Sequence, residues 1–63
     1  MDWYKNWAAA ICQQLAVWGY TETADKMTLL YNSGDPRLYD VYATSMRSPG
    51  IDVMTVKDMI DHI

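Results

Sequence analysis

A chain of 63 residues with net charge −3 and 51% hydrophobic side chains makes one domain, spanning 1–63, and is too apolar to stay disordered. Its single cysteine excludes an internal disulfide, and Cys12 with His62 cannot supply the four ligands of a structural zinc. No stretch approaches the roughly 20 apolar residues of a membrane span, and no basic segment precedes an apolar one at the start, so no secretory signal is read.

Asp2 is placed to cap a first helix over 3–18. Tyr4, Trp7, Ala8, Ile11, Leu15 and Trp18 recur at spacings of three and four, a single helical stripe. Gly19 then stops the helix as a left-handed residue, with Tyr20 as the apolar residue that closes such an end. Thr21 is the expected cap of a second helix over 22–32, with Glu22 and Asp25 near its positive end. Ala24, Met27, Leu30 and Tyr31 share its inner face, and Leu29 points elsewhere. Asn32-Ser33-Gly34 ends it.

Asp35-Pro36 restarts the chain as N-cap and first helical residue of a helix over 36–47. Leu38, Tyr39, Tyr42 and Met46 are expected inside, with Arg37, Asp40, Thr44 and Arg47 outside. After the Ser48-Pro49-Gly50 turn, Ile51-Asp52-Val53 reads as a brief extended segment or a loop. Thr55 is the expected cap of a last helix over 56–63, with Asp58 three residues on and a stripe of Val56, Met59, Ile60 and Ile63. The expectation is an all-α fold, a compact bundle of four short helices.

A core this small supplies only about 3–5 kcal/mol, so tight packing, self-association or docking onto something larger is implied. An unpaired cysteine suits a reducing, cytoplasmic setting. The three Trp and five Tyr, with no Phe, give every aromatic ring a polar handle, as favoured at binding surfaces. Trp3, Trp7, Tyr39 and Tyr42 are the candidate partner-binding residues. Ile11, Leu15, Tyr20 and Leu29 are the candidates for pairing with a second copy.

The corner between the first two helices resembles the LisH (lissencephaly-homology) motif. The residues that carry the resemblance are Ile11, Leu15, Gly19, Tyr20, Thr23, Ala24 and Met27. Gln14 and Leu30 stand where the family usually has an aromatic and an acid. The resemblance implies a helix pair that homodimerises, with Ile11, Leu15, Ala24 and Met27 building a shared bundle.

Catalytic patterns are lacking. Nothing in the sequence orients Cys12 and His62 as a nucleophile–base pair. Asp58 and Asp61 offer too few oxygens for a magnesium or calcium site. All three glycines fall at turns, not in a phosphate loop. The reading is therefore not an enzyme, with no cofactor, metal or small-molecule substrate. A helix-turn-helix over 22–47 would present only Arg37 and Arg47 with Asp40 between them, which suits DNA poorly; an acidic nucleic-acid mimic is the converse alternative. The favoured expectation is a protein-binding module. As a complete short reading frame it would be a phage or mobile-element accessory protein that inhibits or redirects a larger host protein. A homodimer is the alternative.

Overall fold

The computed structural model describes residues 3–63, so the Asp2 cap lies outside the described residues. Four helices follow one another: α1 (Trp3–Val17), α2 (Thr21–Asn32), α3 (Pro36–Arg47) and α4 (Val53–Asp61). Among the described residues there is no strand, and the bundle is all-α as the periodicity predicts. α1 and α2 form the most extensive helix pair, and every helix touches the other three. The radius of gyration is 10.5 Å.

The two tight corners are built alike. Gly19 takes φ +91° and Gly34 φ +68°, where a side chain would be strained. At the first corner the Tyr20 N–H donates to the Leu15 carbonyl (2.8 Å) and the Gly19 N–H to Ala16 (3.1 Å). At the second, Asp35 N–H reaches Leu30 (3.0 Å) and Gly34 N–H reaches Tyr31 (3.1 Å). Each is the paired closure of a Schellman end. It satisfies helix carbonyls that a short protein cannot leave buried and unpaired.

Two caps differ from expectation. Thr21 lies inside α2, because the closure at Gly19 is so short that the Tyr20 carbonyl already accepts from the Ala24 N–H at 3.0 Å. Tyr20 is the N-cap, with no side-chain bond. Thr55 is not the cap of α4: Asp52 is, its Oδ1 accepting from the Thr55 N–H (2.9 Å) and the Thr55 hydroxyl (2.8 Å). A carboxylate accepts more strongly than a hydroxyl, so the helix starts at Val53; it ends at Asp61 and does not span 56–63. Asp35 caps α3 as predicted, accepting from the Arg37 N–H at 2.9 Å ahead of Pro36.

The core comprises Ala8, Met27, Leu30, Leu38, Val41, Val56 and Ile60, with Leu15 and Ala24 also buried. α3 corrects its predicted face. Leu38 and Val41 are buried, whereas Tyr39 and Met46 are each 54% exposed. Successive helical residues turn by about 100°, so a face centred between Leu38 and Val41 carries Tyr39 to the margin. Trp18 lies beyond the end of α1 and is also exposed. Thr23 is the one buried polar residue among those described. Its hydroxyl donates to Asp61 Oδ1 at 2.7 Å, tying α2 to the end of α4, while Lys57 holds the other oxygen at 2.6 Å.

Candidate functional site

The α1 stripe puts Tyr4 and Trp7 about one turn apart on its first half. The last turn of α2 brings Tyr31 beside them, and α3 adds Tyr39 and Tyr42. Tyr4 is the hub. Its ring centroid lies 5.2 Å from Tyr42, 5.3 Å from Tyr31, 5.4 Å from Tyr39 and 6.2 Å from Trp7. Trp7 meets Tyr42 edge-on at 5.2 Å, and Tyr39 lies 5.7 Å from Tyr42. Tilted and edge-to-face pairs at such distances add roughly 0.5–1.5 kcal/mol each beyond the area they bury. The cluster is thus a packed patch.

Electrostatics follow the packing. Loss of solvation raises the Tyr4 hydroxyl above its ordinary value, and the neighbouring Tyr31, Asp35 and Tyr39 add to the effect. Asp35 is held down to about 2, first by the Arg37 guanidinium and then by the Arg37 N–H. The patch itself is uncharged, with Asp35 and Arg37 paired at 2.7 Å beside it.

The four candidate partner-binding residues come together at this end. Trp7 and Tyr42 are half-buried within the ring cluster, and Tyr39 is its exposed margin. Trp3 is 66% exposed and lines a shallow groove of about 290 Å³ with Asn6, Tyr42 and Met46. Sequence reasoning assigned Met46 and Tyr4 to inner faces and missed both here. Met46, one turn beyond Tyr42 on the same side of α3, was the available signal.

The four self-association candidates do not share a face. Leu15 is 0% exposed, so it presents no outward side chain, and Ile11 is half-buried against the core. Tyr20 lies under the Lys57 ammonium, 4.7 Å from its ring centroid. Leu29 projects from α2 at 69% exposure. Ala24 and Met27, which the LisH resemblance would put in a shared bundle, are buried within the chain's own core along with Leu15.

The remaining polar groups are dispersed. Cys12 Sγ lies 3.3 Å from the Thr28 hydroxyl and 3.5 Å from the Ala24 carbonyl. His62 sits on α4's far end, with Nδ1 2.7 Å from the Asp58 carbonyl. Among the described residues, no three His, Cys, Asp or Glu side chains gather as metal ligands. An opening of about 640 Å³ beside Tyr20 sets Lys26 and Lys57 against Glu22 and Asp61, so its charges balance. No helix among the described residues is long and apolar enough to cross a membrane. No protein-family model matches the chain, and neither curated proteins nor solved structures give a significant match.

Proposed function

We propose that this chain is a non-enzymatic protein-binding module that docks through its aromatic end. The observation that carries the reading is the exposure of Trp3, Tyr39 and Met46 around a packed ring cluster. Burying one large apolar side chain contributes about 1.5–3 kcal/mol. Rings already held by their neighbours lose little freedom on docking, which preserves that gain. The partner is a larger protein that the module blocks or redirects. Short acidic helical accessory proteins of phages and mobile elements supply the analogy, at the level of fold class.

The test does not require the partner's name. Peptides selected from a random library on the immobilised chain should perturb the NMR signals of Tyr39, Tyr42, Trp3 and Met46. Binding should be lost in Tyr39→Ala/Met46→Ala with far-UV circular dichroism unchanged. Peptides that map to another face, or that bind the double variant as tightly, would refute the reading.

A further inference from the structure

The groove between α1 and α3 joins two kinds of chemistry. Trp3, Tyr42 and Met46 give it ring and apolar surface, and Tyr39 continues that surface at 5.7 Å from Tyr42. Trp3 and Asn6 also carry N–H donors, and both tyrosines carry hydroxyls. Among the described residues, the side-chain hydrogen bonds made from α1 and α3 are those of Cys12, Arg37, Thr44 and Ser45. The Trp3 indole, the Asn6 amide and the Tyr39 and Tyr42 hydroxyls take part in none of them. Trp3, Asn6 and Tyr39 are exposed, so donors stand in water beside ring faces. Among the described residues, none of those lining the groove is charged.

We infer that this groove receives an uncharged, proline-rich segment of the partner in the polyproline II conformation. The inference rests on the docking surface proposed above and names its ligand. Each of the common ways of seating a peptide makes its own demand. An added strand needs an open sheet edge, and among the described residues there is no strand. An acidic or phosphorylated segment needs clustered basic side chains, which this groove lacks, and the net charge of −3 repels it further. An amphipathic helix has its carbonyls bonded within itself. It would cover the donors of Trp3 and Asn6 and supply no backbone acceptor, which is costly. A polyproline II segment makes no internal hydrogen bonds. Its carbonyls accept from Trp3, Asn6 and the tyrosines while its rings pack against Trp3 and Tyr42. Stiff before it binds, it gives up little freedom on docking.

Charge sets the composition of the segment. A Lys or Glu side chain pressed into the groove would lose water and gain no opposite charge. The nearby Asp35 and Arg37 already neutralise each other at 2.7 Å. Prolines and small apolar residues meet neither cost, and their binding is insensitive to salt because no ion pair forms.

Peptide selection on the immobilised whole chain, followed by NMR titration, tests the inference. Peptides that map to Trp3, Asn6, Tyr39 and Tyr42 should be rich in proline at the three-residue period of polyproline II. Capped oligoproline of about nine residues, three such turns, should shift the same signals. It should bind more tightly than an uncharged helical peptide of equal length, and equally at low and high salt. Trp3→Phe keeps a ring but removes the indole N–H, and Asn6→Ala removes the amide. Each should weaken oligoproline binding by roughly tenfold, with far-UV circular dichroism unchanged, and Leu29→Ala should bind as the parent does. Selected peptides that map to this end but are helical, charged or poor in proline overturn the inference and leave the docking surface standing. So do oligoproline that shifts none of these signals, binding that falls with salt, and Trp3→Phe and Asn6→Ala variants that bind as tightly as the parent. Peptides that all map to another face overturn the docking surface itself, and the inference with it.

Discussion

Leu29 and Leu30 are neighbours in one helix and differ tenfold in exposure, 69% against 7%. Truncating each to alanine removes the same atoms and raises helix propensity by the same small amount. Any difference in cost therefore comes from tertiary packing alone. Leu30 packs in the core with Met27, Leu38, Val41, Val56 and Ile60, and Leu30→Ala should cost about 3 kcal/mol, from lost burial plus the cavity left behind. Leu29→Ala should stay within about 0.5 kcal/mol of the parent. Because a core of this size supplies only about 3–5 kcal/mol, the first variant should sit at the edge of unfolding in water and the second should be indistinguishable from the parent. Urea melts followed by far-UV circular dichroism and tryptophan fluorescence, at low protein concentration, measure both. Equal losses at the two positions would refute the assignment of α2's buried face. So would a Leu29→Ala loss of about 2 kcal/mol or more.

Further expectations follow from single features. Gly19→Ala meets nothing within 4 Å, so its cost comes only from the φ of +91°; about 1–2 kcal/mol is expected by the same melts. Alkaline conditions should destabilise the fold. The Tyr4 hydroxyl is raised in the folded state, so the unfolded chain loses its proton first, and stability present below about pH 10 declines as pH rises through the folded value. Tyr4→Phe should lessen that decline in Tm between about pH 9 and 11. Acid should destabilise the fold as well. Asp35 is lowered to about 2 by Arg37, Asp52 is lowered by the Thr55 N–H and hydroxyl, and Asp61 is lowered by Lys57 and Thr23. Their contribution is present above about pH 4 and is lost as pH falls toward about 2, and Asp35→Asn should flatten the lower part of that Tm profile.

Local rules along the chain account for the helices and most of their ends. Gly19 and Gly34 terminate α1 and α2 because only a residue without a side chain takes their backbone angles easily. Asp35-Pro36 starts α3 because the carboxylate and the fixed proline φ act on the immediate neighbours. Periodicity likewise marks Met27, Leu30, Leu38, Val56 and Ile60 as inward-facing. Where two local signals compete, as with Asp52 and Thr55, strength of acceptor decides, and spacing alone does not rank them.

How far each helix is rotated about its axis depends on the neighbours it meets, which no local pattern carries. Burying Val41 took Tyr39 and Met46 out of α3's inner face, and the same rotation gathered Tyr39 and Tyr42 around Tyr4. Trp3, Trp7, Tyr39 and Tyr42 were legible singly as rings with polar handles. That they occupy one end of the molecule, across more than thirty residues of chain, is a property of how α1 crosses α3. The same holds for Leu15, which has the spacing of a helix-pairing residue but is closed over completely by its own chain. A side chain's type and period follow from short-range covalent geometry, whereas which surface remains uncovered follows from the mutual packing of four helices.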